Sequence, residues 1–216
     1  MKRAQGLTLV ELVVAISISG VLAMTVPPLV FQGAQTLVFL PRAQLSNQTA
    51  LELLHAMTEG NFSTLTNQTL RGLRFAARQA TPSAQPAVWL AEDFRIGYLL
   101  PNDLWSPTDN QYVVLWRDGN LIRRSLFPGN ACPPSTTTGE LLPADSAASI
   151  HILPRSGQPI FRYYDQNGTL LVPPGCTNTG TIRRVEIAFV AQTGNGSFDQ
   201  GDARVEVTTS VAIRFP

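Results

Sequence analysis

Residues 1–30, MKRAQGLTLVELVVAISISGVLAMTVPPLV, decide how the rest of this chain is organised. Basic residues and a short polar stretch lead to Gly6, and an apolar run then covers residues 7–31. A single charge, Glu11, interrupts that run. A carboxylate inside hydrocarbon costs about 2.5–3.5 kcal/mol on insertion scales, so Glu11 calls for a partner or a function.

Three interpretations of this segment compete. A secretory signal would use Lys2 and Arg3 as its basic end. However, Glu11 lies where such a signal should be most apolar, and no clean small-x-small cleavage site follows the apolar run before Pro27 and Pro28. A plain transmembrane anchor needs about 20 residues and would keep its basic end in the cytoplasm. The anchor interpretation leaves Gly6 and Glu11 unexplained.

The third interpretation accounts for all of these residues. The pattern Gly-Leu-Thr-Leu-Val-Glu-Leu at residues 6–12 closely resembles the class III signal of type IV pilins and type II secretion pseudopilins. The resemblance implies that a prepilin peptidase cuts on the cytoplasmic side after Gly6. Leu7 would then be the N-methylated first residue and Glu11 the fifth residue of the mature chain. The family usually has Phe at the position of Leu7.

Cleavage would give Glu11 its partner. The new α-amino group at Leu7 is cationic at neutral pH, and the positive end of the helix dipole lies beside it. A carboxylate one turn along can neutralise that amine, in its own chain or in a neighbouring subunit. Because breaking a buried ion pair costs about 3–5 kcal/mol, Glu11 is expected to control assembly and register.

The helix is expected to continue beyond the membrane. Pro27 and Pro28 should kink or locally melt it, and Pro41 suggests a second bend. Apolar residues then recur at helical spacing, which predicts an amphipathic half packed on a globular head. The expected buried face comprises Leu45, Ala50, Leu53, Leu54 and Met57. The predicted segments are a leader (1–6), a transmembrane and filament-core helix (7–31), its amphipathic continuation (32–60) and a periplasmic α+β head (61–216).

Two further short helices are expected in the head. One would be capped by Asn61 or Thr64 and run to Ala77. It would carry a basic stripe, Arg71, Arg74 and Arg78, for which a solvated face is favoured over contact with phosphate or an acidic partner. The other would cover residues 87–100, with Trp89, Leu90 and Phe94 buried.

From residue 111 onward, β-rich runs separated by turn residues predict an antiparallel sheet. Asp-Gly-Asn at 118–120 lies between two such runs and is a strong hairpin signal. Residues 166–168 predict a second hairpin, and residues 149–153 a short strand. Residues 182–191 and 203–215 alternate apolar and polar side chains, which predicts a long pair that closes the sheet.

Two cysteines, Cys132 and Cys176, lie in segments rich in proline, glycine and threonine. Paired loop cysteines after an N-terminal membrane segment favour one disulfide in an oxidising compartment, with two unpaired thiols as the alternative. The bridge would close a loop of 44 residues (176 minus 132), worth at most about 4 kcal/mol.

The sequence gives little support for catalysis, metal or nucleic-acid binding. Neither His55 nor His151 has a carboxylate or cysteine at ligand spacing, so zinc is not expected. Calcium is the one cofactor worth weighing, on the turns 165–168 and 199–202, although turns favour the same residues in any case. The Arg123-Arg124 and Arg183-Arg184 pairs could contact DNA, but a net charge of +1 argues for solvated strand faces instead.

Together these features predict a bacterial minor type IV pilin and not an enzyme. The resemblance implies a single-pass inner-membrane protein with a cytoplasmic N-terminus, a periplasmic head and a later place in a pilus at the cell surface. Its partners would be other pilins, the prepilin peptidase and the assembly platform. Its function would be to prime or cap a pilus used for adhesion, twitching motility or DNA uptake.

Two alternatives remain open. The order of elements and the C-terminal run Val-Ala-Ile-Arg-Phe at 211–215 loosely resemble PilW-type minor pilins and also the J-type pseudopilin. The chain could therefore cap a type II secretion pseudopilus instead of a pilus. A DNA-binding module at a pilus tip is the third interpretation.

Overall fold

The computed structural model shows a long N-terminal helix that carries a head of antiparallel sheets. It describes residues 9–64, 67–78, 86–100, 111–127, 132, 138–142, 150–193 and 203–213, with the backbone alone at 32–39 and 68. Across these ranges, helix α1 (Leu9–Thr58) precedes twelve strands and two single turns of 3-10 helix, Leu73–Phe75 and Thr179–Thr181. The predicted α+β class is confirmed.

The strands form one hairpin and two larger sheets, all antiparallel. The hairpin pairs β1 with β2, and the first sheet has the order β3-β4-β5-β6-β7. The second sheet has the order β10-β9-β11-β12, with β8 beside β9 on the same side of β11. The strands are β1 Gly60–Ser63, β2 Gln68–Arg71, β3 Val88–Ala91, β4 Arg95–Leu100, β5 Gln111–Asp118, β6 Leu121–Phe127, β7 Glu140–Leu142, β8 Ile150–Leu153, β9 Phe161–Tyr164, β10 Leu170–Leu171, β11 Arg184–Thr193 and β12 Arg204–Ala212.

Most of the β-rich half matches the sequence prediction, although β7 (Glu140–Leu142) was not predicted as a strand. β5 and β6 form a hairpin whose two-residue turn begins at Gly119, with φ of 59°, as a type II′ turn requires at its first central position. β9 and β10 form the second predicted hairpin. β11 and β12 form the predicted long pair, and β8 is the predicted short strand.

Both of the additional α-helices predicted in the head are wrong. The segment 64–77 contains β2 and a single 3-10 turn, and 87–100 contains β3 and β4. Phe94, which was expected to be buried, is 39% exposed. β3 is buried on both faces, so its side chains show no alternation, and a short apolar run of that kind is easily mistaken for helix.

The basic stripe therefore does not form on a helix. Arg71 lies on β2, where its guanidinium is 5.1 Å from the ring centroid of Phe75. Arg74 lies on the 3-10 turn and forms an ion pair of 2.7 Å with Glu59. Arg78 follows that turn and is exposed.

The main core lies between α1 and the inner faces of both sheets. Leu53 and Met57 from α1 join Tyr98 of the first sheet and Phe189 of the second in one buried cluster. A second cluster, called here the outer cluster, covers the opposite face of the first sheet. It comprises Trp89, Leu90, Leu99, Tyr112, Val114 and Trp116.

Candidate assembly site

The first half of α1 is apolar and stands clear of the head. Residues Leu9–Phe31 are long and apolar enough to cross a membrane, and none of that segment is buried inside the molecule. The hydroxyls of Ser17 and Thr25 donate to helix carbonyls one turn back, those of Val13 (2.9 Å) and Val21 (3.0 Å). Because these donors are satisfied within the helix, they add little polarity to the surface.

Glu11 lies in the first turn of α1 and is exposed. A carboxylate at this end of a helix interacts favourably with the helix dipole. Gly6 and Leu7, the expected cleavage and methylation positions, lie outside the described residues. The pairing of Glu11 with the Leu7 amine therefore stays a prediction.

The helix backbone is α-helical at Pro27, Pro28 and Pro41. The local melting considered for the first two prolines is therefore not seen in the single chain. Whether the helix bends there, or unwinds on assembly, stays a prediction.

The second half of α1 packs on β11, β12 and β1 through a narrow face. Its buried residues recur every three or four positions: Ser46, Thr49, Ala50, Leu53, Ala56 and Met57. Ser46 donates its hydroxyl proton to the Ala203 carbonyl over 3.3 Å, at the start of β12. The prediction of this face is right for Ala50, Leu53 and Met57, which are buried. It is wrong for Leu45, which is 44% exposed.

A buried ion pair fastens hairpin β1–β2 to the first sheet. Arg124 of β6 is fully buried, and its Nε donates to the Glu140 carboxylate of β7 over 2.6 Å. The other Glu140 oxygen accepts from the Thr64 backbone N–H (2.8 Å) and the Thr64 hydroxyl (3.0 Å). Two strands of the sheet and the end of β1 therefore meet at one carboxylate.

The surroundings of Glu140 lower the pKa of its carboxyl below 4.5. Burial alone would raise this pKa, but hydrogen bonds from Arg124, Ser63 and Thr64 and the positive charge of Arg124 outweigh it. Burial raises the pKa of Tyr98 well above its ordinary value, although the charge of Arg124 acts in the opposite direction. Tyr98 therefore stays neutral, and its hydroxyl donates to the Arg71 carbonyl over 3.2 Å.

Cys132 and Cys176 form a disulfide, with their Cα atoms 5.8 Å apart. Cys176 packs against the outer cluster. Beside it, Gly175 and Ala91 exchange two backbone hydrogen bonds of 2.8 and 2.9 Å. The disulfide thus ties the segment that carries Cys132 to the first sheet.

The residues weighed for calcium and DNA have structural partners wherever they are described. Asp165 accepts two backbone hydrogen bonds of 2.8 Å in its own turn, and residues 199–202 lie outside the described part. Within that part, no group of three or more His, Cys, Asp or Glu side chains could hold a metal. Of the paired arginines, Arg123 bonds Asp118, Arg124 is buried, and Arg184 lies 4.0 Å over the Tyr164 ring.

Comparison with known protein families gives a match at the N-terminus. Residues 1–26 match the family model of the prokaryotic N-terminal methylation motif. The chain carries a type IV pilin-like class III signal. Proteins with this motif are structural and pilin-like, not enzymes, and the signal and apolar helix together support membrane anchoring and association with a pilus or the cell surface. No curated protein and no solved structure matches the chain.

Proposed function

We propose that this protein is a minor type IV pilin that primes or caps a pilus used for adhesion, twitching motility or DNA uptake. The observation that carries the proposal is the methylation motif on an exposed apolar helix that leads directly into a folded head. In this proposal residues 1–6 are removed, 7–31 anchor the chain and later enter the filament core, and 61–216 form the periplasmic head.

The exposed first half of α1 supports this function physically. Its apolar side chains have no partner within the described head, so they must be covered by lipid or by other helices. Transfer from membrane to filament exchanges one apolar environment for another. Glu11 is the one charged residue in this segment, and in this proposal its carboxylate pairs with the cationic α-amino group of Leu7 in the filament.

The size and irregularity of the head favour a minor subunit over a major one. Two five-stranded sheets, an outer cluster and a disulfide-tied segment give a head that is large for a uniformly packed shaft. A J-type pseudopilin shares this argument. Deletion of the gene separates the two: loss of pili or of DNA uptake supports the pilin, whereas a secretion defect with normal pili supports the pseudopilin.

The test of the assembly site is Glu11→Ala, with Glu52→Ala as the matched control. Both residues are exposed acids on α1, but Glu52 lies beside the head and bonds Gln48. We expect Glu11→Ala to enter the membrane normally and to be depleted several-fold from sheared filaments, because the Leu7 amine is left unpaired.

Two measurements read this test out: quantitative immunoblotting of membrane and filament fractions, and mass spectrometry of the mature N-terminus. The expected N-terminus is methyl-Leu7, with the six preceding residues removed. An intact Met1 would refute the processing step, and normal incorporation of Glu11→Ala would refute the role of Glu11. Glu52→Ala should assemble like the wild type.

A further inference from the structure

The turn between β9 and β10 carries an asparagine that is followed directly by glycine, Asn167-Gly168. Residues 166–170 are all exposed, so this turn lies at the surface of the head. The backbone N–H of Asn167 is hydrogen-bonded, but within the described part of the chain its side-chain amide forms no hydrogen bond. The amide is therefore open to water.

Asp165 restrains the backbone of this turn. Its Oδ1 accepts hydrogen bonds from the N–H groups of Asn167 and Thr169, both over 2.8 Å. The Gly168 N–H donates to the Asp165 carbonyl over 3.2 Å. Gly168 has φ of 79°, a left-handed conformation that residues with a Cβ rarely adopt. The turn therefore favours glycine directly after Asn167, and three hydrogen bonds hold the peptide link between them.

An asparagine before glycine can lose its amide without an enzyme. The backbone nitrogen of the glycine gives up its proton and attacks the asparagine Cγ, which closes a five-membered succinimide ring. The bond from Cγ to the side-chain nitrogen breaks, and that nitrogen leaves with the proton as ammonia. Water then opens the ring to aspartate or isoaspartate. Glycine favours the attack because no Cβ crowds the attacking nitrogen.

We propose that Asn167 is a self-modification site, at which the Gly168 nitrogen displaces the side-chain amide as ammonia at a rate set by the Asp165 turn. The attack needs the Gly168 nitrogen deprotonated and turned toward Cγ of Asn167. The hydrogen bond to the Asp165 carbonyl retains that proton, and the two bonds to Oδ1 restrict the backbone rotation. The reaction is therefore confined to moments when the turn opens. This inference goes beyond the proposed function and does not rest on it.

Other exposed asparagines lack this arrangement. Asn178 is exposed, but the next residue is the β-branched and buried Thr179. Asn120 is followed by Leu121, and its side-chain nitrogen lies 3.2 Å from Nδ1 of His151. The side chains of Thr179 and Leu121 hinder attack by their backbone nitrogens. Among the asparagines that the structure describes, Asn167 alone precedes a glycine.

The products change the turn and the strand that follows it. Both place a new carboxylate near Asp165, and isoaspartate also adds a carbon atom to the main chain. β10 has only two residues, paired as Leu170 opposite Tyr164 and Leu171 opposite Tyr163. Because the length of the turn fixes the register of a hairpin, isoaspartate should weaken this pairing.

The test is incubation of the purified full chain in mildly alkaline buffer, followed by reduction and cleavage at arginine. Cleavage after Arg162 and Arg183 releases residues 163–183, which contain both Asn167 and Asn178. Fragmentation mass spectrometry then locates any exchange of amide for carboxylate. We expect Asn167 to convert several-fold faster than Asn178, to a mixture of aspartate and isoaspartate. Digestion in water labelled with heavy oxygen identifies any conversion that occurs during preparation.

Two variants separate the chemistry from the turn. Asn167→Gln keeps an amide but would have to close a larger ring, so it should stay unmodified. Asp165→Ala removes both bonds to Oδ1 and should raise the rate at Asn167 several-fold, with the Cys132–Cys176 disulfide retained. If Asn167 keeps its amide as long as Asn178 does, or if its rate is unchanged in Asp165→Ala, the proposal is overturned.

Discussion

Arg124 places a positive charge where no water reaches it. Its guanidinium is fully buried, and Glu140 is the counter-ion that compensates for the lost hydration. Among the described residues, Nη1 and Nη2 of Arg124 have no hydrogen-bond partner, although Nη2 forms an ion pair with the Glu140 carboxylate. At such a site, removal of the carboxylate is far more damaging than removal of both charges.

Glu140→Gln should therefore lower the free energy of unfolding by about 3–5 kcal/mol, because it leaves Arg124 buried and unpaired. The double variant Arg124→Met/Glu140→Leu should recover much of that loss. Urea unfolding followed by tryptophan fluorescence measures both. The exposed pair Arg155–Glu206 is the control, and Arg155→Gln should change stability by less than about 1 kcal/mol. Equal effects of Glu140→Gln and Arg155→Gln would refute the role of the buried pair.

The same carboxylate predicts a dependence on pH. The folded-state pKa of Glu140 lies below its ordinary value of 4.5, so the stability from the ionised form is complete above that value and is lost as pH falls through the folded pKa. The stability difference between wild type and Glu140→Gln should be constant near neutral pH and shrink below about pH 4.5. A difference that grows on acidification would contradict this assignment.

At the scale of single elements, the two halves of α1 have different surfaces, one suited to an apolar environment and the other to packing on the head. Its first half exposes apolar side chains all around, whereas its second half buries one face and exposes the other. Leu51 and Leu53 show the contrast within one turn: Leu51 is 54% exposed and Leu53 is fully buried.

Leu53→Ala should therefore cost about 2–5 kcal/mol of unfolding free energy, since it leaves a cavity in the main core. Leu51→Ala should change it by no more than about 0.5 kcal/mol. The pair is matched in residue type, helix and neighbourhood. Similar losses for both variants would mean that the helix does not dock on the head as described.

The elements predicted correctly are those with local signals. Asp-Gly between β-rich runs predicted the β5–β6 hairpin, and strict alternation predicted β11 and β12. The errors at 64–77 and 87–100 arise where tertiary packing determines the structure. Gly72 packs its backbone so closely on Thr58 that an added Cβ would clash with the Thr58 carbonyl group, a constraint that no local pattern reveals.

The residues of the candidate site likewise differ in whether the sequence alone could reveal them. Glu11 could be singled out because a lone charge in an apolar run is visible in the sequence alone. The Arg124–Glu140 pair could not, because an arginine on a strand gives no sign of which face it takes. β12 could be predicted as a strand, but its place at the end of the second sheet, among the described strands, depends on the order of that whole sheet.

At the scale of the whole molecule, the disulfide connects distant parts of the chain across the outer cluster. Cys132 lies beyond β6, and Cys176 packs beside the residues that cover the outer face of the first sheet. Trp89 and Tyr112 of that cluster meet edge to face, with ring centroids 6.0 Å apart. The disulfide therefore packs against the aromatic side chains of the outer cluster as well as closing a loop.

Replacing both cysteines, Cys132→Ser/Cys176→Ser, should lower the free energy of unfolding by up to about 4 kcal/mol. Tryptophan emission should shift to longer wavelength if Trp89 and Trp116 gain water. Reduction of the wild-type protein should reproduce both changes, and non-reducing peptide mapping verifies the pairing. An unchanged free energy of unfolding in the double variant would show that the disulfide does not stabilise the fold.

The docking of α1 also determines how this molecule would respond to tension. A pull on the N-terminal half runs along the helix axis and shears the whole buried face against β11 and β12 at once, from Ser46 to Met57. Side chains loaded together in shear must all slide before any one contact is lost. Just after the helix, the hairpin β1–β2 adds a second attachment, because Thr64 at the end of β1 donates a backbone hydrogen bond to Glu140 of the first sheet. The packed second half of α1 is thus arranged to transmit force from the apolar segment to the head.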